Sequence, residues 1–234
     1  MQNRFGKKSW QKEEKRMKRF LLVAGGSIQD SFATEYLKAE KFDCILAADS
    51  GMEFFYRNGF VPDVIIGDFD SVRQETLSYF KEKEQILWQE LNPVKDDTDT
   101  ESAIRRAISM GAEEIVVLGA TGTRLDHVLG NIELLGIGLL EHVKIYLLDA
   151  YNRIQMIDNG IQLDKQNQFG DYVSLIPYTQ SVKGLTLTGM KYPLDHYELK
   201  GFCSLGISNE IQENVAEISF EDGILIVVES RDRM

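Results

Sequence analysis

The sequence predicts an α/β fold: a mostly parallel N-terminal sheet with flanking helices, followed by a C-terminal antiparallel β-sandwich domain. Three observations carry that expectation. From Phe20 to about Asp149, short apolar runs alternate with helical patterns, the texture of strands joined by crossover helices. Those runs are apolar almost without a break, as strands covered on both faces must be. After Asp149 the texture becomes short strand-like runs separated by turn signals. A boundary is therefore expected near Ala150, dividing an α/β unit at residues 18–150 from a sandwich at 151–234.

Taken in order, the parallel strands are expected at Phe20 to Ala24, Cys44 to Ala48, Val64 to Ile66, Glu114 to Gly119 and Lys144 to Leu148. Between the third and fourth, Thr98-Asp99-Thr100-Glu101 reads as a capping box. Thr98 accepts from the amide of Glu101 while Glu101 reaches back, and Ala103, Ile104, Ala107 and Ile108 follow as the apolar stripe. Gly111 stands where a helix C-cap belongs. A helix starting near Leu125 is expected to bury Val128, Leu129, Ile132 and Leu135. In the second half, strands are expected at Tyr172 to Ile176, Leu185 to Thr188, Glu217 to Phe220 and Ile224 to Val228. Asp158-Asn159-Gly160, Val182-Lys183-Gly184 and Glu221-Asp222-Gly223 are read as turns.

Composition narrows the function classes. A net charge of −11 over 234 residues argues against nucleic-acid binding, which is driven by surplus Lys and Arg. No stretch approaches the ~20 apolar residues of a membrane-spanning helix. Cys44 and Cys203 are the only cysteines, too few for a disulfide framework, so a reducing cytoplasm is the expected compartment. The first 19 residues are basic and polar and lack the apolar centre of a secretory signal. They are set aside from the fold argument, with Met17 as a candidate start.

In an open parallel sheet, ligands settle at the carboxyl ends of the strands. The residues found there are acidic and glycine-rich: Gly25-Gly26-Ser27, Asp49-Ser50-Gly51, Gly67-Asp68-Phe69-Asp70-Ser71 and Gly119-Ala120-Thr121-Gly122. Asp96, Asp97 and Asp99 open the capped helix. Each Asp alone could be an N-cap or turn residue. Carboxylates converging on one rim would instead repel one another unless a hard cation neutralised them, and Mg²⁺ with phosphate oxygens suits a few carboxylates and retained waters. Thr121-Gly122-Thr123-Arg124 offers amides at a helix start, two hydroxyls and a guanidinium to an oligophosphate. Its plainer reading is an ordinary strand-to-helix turn, and His127 alone makes no metal site.

Five motifs in order resemble the thiamine pyrophosphokinase family. They are Asp49-Ser50-Gly51, Gly67-Asp68-Phe69-Asp70-Ser71, Asp96-Asp97-Thr98-Asp99, Gly122-Thr123-Arg124-Leu125-Asp126-His127 and Gly206-Ile207-Ser208-Asn209-Glu210. The likeness runs from about Lys18 to Val228. It implies a Rossmann-like, ATP-binding N-terminal domain, a thiamine-binding sandwich and a homodimer with active sites between subunits. It also implies transfer of diphosphate from ATP to the hydroxyl of thiamine, giving thiamine diphosphate and AMP. By the same resemblance, Asp68, Asp70 and Asp99 would hold Mg²⁺, Asp49 with Thr121, Gly122, Arg124 and Asp126 would face the nucleotide, and Ser208 with Asn209 would line the thiamine pocket. Asp96, Asp97 or Asp99 would orient or deprotonate the hydroxyl, with Arg124 as a further cation. Some relatives stack a tryptophan on thiamine shortly after the serine; here no Trp follows Trp88.

Other classes compete for the same residues. Asp68-Phe69-Asp70 is also similar to the nucleophile motif of haloacid-dehalogenase-like phosphatases, but it follows a third strand and a glycine. A glycosyltransferase holding Mg²⁺ through D-x-D, diphosphate transfer to a pterin alcohol, and a non-catalytic nucleotide or vitamin sensor are the remaining alternatives.

Overall fold

The computed structural model describes residues 16–92 and 96–233; the basic segment at 1–15 lies outside them. The first half contains strands β1 (Arg19–Val23), β2 (Cys44–Ala48), β3 (Val64–Gly67), β4 (Leu87–Glu90), β5 (Glu114–Leu118) and β6 (Lys144–Leu148). Helices α1 (Asp30–Ala39), α2 (Met52–Asn58), α3 (Gln74–Lys81), α4 (Asp99–Ser109) and α5 (Leu125–Glu141) lie between them. All five pairings among β1 to β6 are parallel.

Period-two alternation divides each strand between two cores. Leu21 and Val23 pack with Ala33, Phe54, Phe55 and Phe80 of α1, α2 and α3. Phe20 and Leu22 pack with Ala103, Ile104 and Ala107 of α4 and Leu135 of α5. Cover on both faces is what the unbroken apolar runs foretold.

The second half contains β7 (Asn152–Ile157), β8 (Ile161–Asp164), β9 (Tyr172–Pro177), β10 (Ser181–Thr188), β11 (Leu194–Lys200), β12 (Val215–Ser219) and β13 (Leu225–Ser230). Across Ala150 the sheet does not break: β7 turns back antiparallel onto β6, and one nine-stranded sheet runs β4-β3-β2-β1-β5-β6-β7-β13-β9. Its antiparallel end is one leaf of the sandwich. The other leaf is the four-stranded sheet β11-β10-β12-β8. Val173, Leu175, Leu225 and Val227 from the first leaf meet Val182, Leu185, Leu187 and Ile218 from the second in a separate core.

The local signals at α4 hold. Thr98 Oγ1 accepts from the Glu101 amide at 3.2 Å, and Gly111, at φ +90°, ends the helix with its amide on Ile108 O while Ala112 reaches Ala107 O. The Glu101 carboxylate turns outward to Arg105.

Several expectations need correction. Val182-Lys183-Gly184 is a bulge inside β10, where the register against β11 shifts and Gly184 takes φ +68°. Of the stripe expected on α5 only Leu135 is buried: Val128 and Ile132 are half-buried and Leu129 is 63% exposed, because the helix presents its first two turns to the open side and buries Leu135, Ile137 and Gly138 further along. The turns at 158–160 and 221–223 join strands of different sheets, so neither closes a hairpin. Strands β4, β7, β8 and β11 were not foreseen. Among the described residues, no helix is long and apolar enough to cross a membrane.

Candidate active site at the carboxyl rim of the parallel sheet

Strand order reverses at β1, which leads on to β2 on one side and lies against β5 on the other, so the crevice above β1 is the place for a ligand. Two turns line it. The Gly26 amide donates to Gly119 O at 2.8 Å and the Ser27 amide to Thr121 O at 2.9 Å. A side chain at Gly26 would put its Cβ 2.3 Å from Gly119 O, so only glycine lets the turns meet this closely.

The acidic residues converge next to this crevice. Asp49 follows β2 with φ 44°, and Asp68 follows β3 just before Phe69 at φ 64°. Both are turns that non-glycine residues enter at a cost. Phe69 is held edge-on to Trp88 at 5.3 Å, which anchors the strained loop in the core. Asp99 is the first residue of α4, where the helix dipole favours a carboxylate. One oxygen from each of Asp49, Asp68 and Asp99 lies within 4.8 Å of the other two. The Ser71 hydroxyl donates to Asp49 Oδ2, and Asp49 Oδ1 is shut away from solvent with no hydrogen-bond partner among the described residues.

Asp70 stands beside this cluster, outside the set of three oxygens, and its amide donates to Asp68 Oδ1 at 3.2 Å. The negative charge of Asp68, followed by partial desolvation and then Asp49, pushes the Asp70 carboxyl above its ordinary range. Asp49, expected to face the nucleotide, thus joins the acidic cluster, since β2 and β3 are neighbours in the sheet.

A cavity of about 610 Å³ joins these parts, from Gly25 and Asp49 through Asp97 and Asp99 to Thr121 and Arg124. Asp97 lines it and Asp96 does not. Arg124 is paired with Asp126 at 2.6 Å on the open side of α5; this neighbour holds the guanidinium above its ordinary pKa and is itself held below the usual carboxylate range. No side chain caps the start of α5.

Residues missed in the sequence include Ser71, Asn131, whose amide donates to Ala120 O at 2.7 Å, and Asp149, which accepts from Thr121 Oγ1 at 2.9 Å. Of these, only Ser71 stood in a quoted motif.

Ser208 and Asn209 lie at the far end of the same sheet. Asn209 is buried. Its backbone pairs with Val173 of β9, and its amide group is committed to the Tyr192 backbone on both sides and to the Glu210 amide. Ser208 is exposed, at φ 58°, with its amide on Ser174 Oγ.

Comparison with known proteins matches residues 36–147 to the model of "Thiamin pyrophosphokinase, catalytic domain" and residues 158–225 to "Thiamin pyrophosphokinase, vitamin B1 binding domain". Thiamine pyrophosphokinase of Bacillus subtilis is 34% identical over 219 residues, 92% of this chain and 100% of that protein. The chain belongs to the thiamine pyrophosphokinase family. The crystal structure of the Bacillus subtilis thiamine pyrophosphokinase superposes with a TM-score of 0.83 at 33% identity, covering 92% of this chain and 100% of that one. That of Geobacillus thermodenitrificans thiamin pyrophosphokinase gives 0.79 at 30% identity, with 92% and 98% covered. Membership sets aside the phosphatase, glycosyltransferase and sensor alternatives; the acidic cluster lies within the span of the catalytic-domain match, and Ser208 within that of the vitamin-binding one.

Proposed function

We propose that this family member moves diphosphate from ATP to thiamine at the acidic rim, with Mg²⁺ held by Asp49, Asp68 and Asp99 and with Asp70 adding negative charge beside them. The observation that carries the reading is three carboxylate oxygens within 4.8 Å of one another, together with a buried Asp49 oxygen that lacks a partner among the described residues. An all-oxygen set of this size fits a hard divalent ion that keeps part of its shell for phosphate and water. Bound there, Mg²⁺ would offset the charge on the transferred diphosphate.

The chain's own residues bind and position. Amides at the uncapped start of α5, with Thr121, Gly122 and Arg124, face the phosphates, and Asp126 pairs with Arg124 at the open side. The thiamine hydroxyl attacks the β-phosphorus; the new O–P bond forms as the α–β bridging bond breaks, and AMP leaves with the electron pair. Asp97, which lines the cavity outside the three-oxygen set, is the best placed of Asp96, Asp97 and Asp99 to take the hydroxyl proton.

Ser208, exposed beside the buried Asn209, is assigned to the thiamine side. From β2 to β9 the sheet order is six strand spacings, on the order of 29 Å at about 4.8 Å each. One chain's Ser208 is too far from its own Asp49 for a shared site, which favours a homodimer whose active sites lie between subunits. A cytoplasmic setting suits Cys44 and Cys203, both free thiols.

Product analysis tests the reaction: AMP and thiamine diphosphate should appear one-for-one, and ADP in place of AMP would refute attack at the β-phosphorus. Co-expressing an Asp68→Asn chain with a Ser208→Arg chain should restore activity that neither has alone. Absence of such rescue, with mixed dimers verified, counts against shared sites.

A further inference from the structure

Asp149 follows β6 and lies on no motif quoted above, yet both its oxygens are hydrogen-bonded next to the site. Oδ1 accepts from the Tyr151 amide at 2.7 Å, the Asn152 amide at 2.8 Å and Asn152 Nδ2 at 3.1 Å, and Asp149 N donates to Asn152 O at 2.9 Å. These bonds close the tight turn in which the sheet changes from parallel to antiparallel. Oδ2 accepts from Asn152 Nδ2 at 3.2 Å and also makes a bond that the turn does not need. It accepts from Thr121 Oγ1 at 2.9 Å, reaching across to the loop after the neighbouring strand β5.

We infer that Asp149 is a positioning residue that holds the phosphate-facing turn Thr121 to Arg124 in its binding conformation. The inference rests on the nucleotide reading of that turn. Thr121 is a hub: its hydroxyl is tied to Asp149 while its carbonyl accepts the Ser27 amide, so one carboxylate braces both glycine-bearing turns over β1 and β5. A hydroxyl has one proton, and an ionised carboxylate can only accept. The Thr121 proton is therefore spent on Asp149, and Thr121 has none left for a phosphate oxygen. Donation to phosphate falls instead to the backbone amides that follow and to the Thr123 hydroxyl. Asp149 thus acts on the nucleotide through geometry, without touching it, by sparing ATP the ordering of the turn.

The test is Thr121→Val in the full-length chain, which deletes the cross-strand bond and leaves the Asp149 turn intact. Titration calorimetry with a non-hydrolysable ATP analogue and Mg²⁺ should show about 10-fold weaker binding, a loss of about 1.4 kcal/mol. The KM for ATP should rise in step while the KM for thiamine and the unfolding temperature stay near wild type. Thr121→Ser, which keeps the hydroxyl, should recover affinity to within about twofold of wild type. Thr121→Val combined with Asp149→Ala should bind no more weakly than Asp149→Ala alone, since removing either partner already ends the cross-strand bond. Wild-type analogue affinity in Thr121→Val overturns the inference, as does additivity in the double variant. A wild-type chain that binds the analogue but makes no AMP from ATP and thiamine would refute the proposed function alone, and the calorimetry would still decide the role of Asp149.

Discussion

At one end of the nine-stranded sheet, Glu229 on β13 is 1% exposed and fully answered. Arg153 grips it at 2.8 and 2.7 Å through two nitrogens, and the Phe169 amide donates at 3.2 Å. Toward the other end, Asp49 buries an oxygen with no partner among the described residues, Asp68 and Asp99 each bring an oxygen close to that side chain, and the charge of Asp68 raises the Asp70 carboxyl above its ordinary range. Both oxygens of Glu229 are paired inside the fold, whereas at the rim one buried oxygen of Asp49 has no partner among the described residues. Burial without a partner is costly, so a fold keeps it only where something from outside completes it. Glu229 belongs to the architecture, and the rim carboxylates belong to the chemistry.

Three substitutions and one labelling experiment can break or sharpen this contrast. The largest effect is expected at the rim, where Asp68→Asn should lower turnover about 100-fold or more with little loss of stability, because it removes a metal ligand together with a source of repulsion. Equal losses of activity and stability would place Asp68 in the architecture. Asp70→Asn, outside the three-oxygen set, should cost less, about 10-fold in turnover; a loss as large as that of Asp68→Asn would bring Asp70 into the coordination sphere. Glu229→Ala should show the reverse pattern. Denaturant unfolding should reveal about 3 kcal/mol of lost stability from an abandoned, partly buried Arg153, with turnover per folded molecule unchanged. The smallest effect concerns burial alone. Burial pushes the Cys44 thiol up to about 11, so native protein at pH 8 should react with a thiol reagent at exposed Cys203 only. Two fast-reacting thiols would show that the core beneath the rim opens readily.

Much of the parallel half was legible because its signals are local. Near-continuous apolar runs marked β1, β2, β3, β5 and β6, and Thr98 and Gly111 punctuated α4. The edge strand β4 was missed because Leu87–Glu90 is short, with no apolar run and no fully buried residue. The continuity of the sheet across Ala150 was hidden for a different reason: pairing of β6 with β7 and of β7 with β13 is settled by contacts between residues far apart in the chain. Gly184 looked like a turn glycine, since a bulge and a turn both ask for positive φ. In the site, the acidic loops were visible as motifs. That Asp49 rather than Asp70 completes the cluster depends on the neighbouring of β2 and β3 and on side-chain direction, and Asn209's amide, matched to the Tyr192 backbone, is a tertiary fact no spacing reveals.

Binding of Mn²⁺ in place of Mg²⁺, followed by electron paramagnetic resonance on the full-length chain without nucleotide, tests the rim most directly. The account expects a saturable site in wild type and in Glu229→Ala, weakened at least about 10-fold in Asp68→Asn and abolished when Asp49 is changed to Asn as well. Identical Mn²⁺ titrations for wild type and the Asp49→Asn, Asp68→Asn double variant would contradict it.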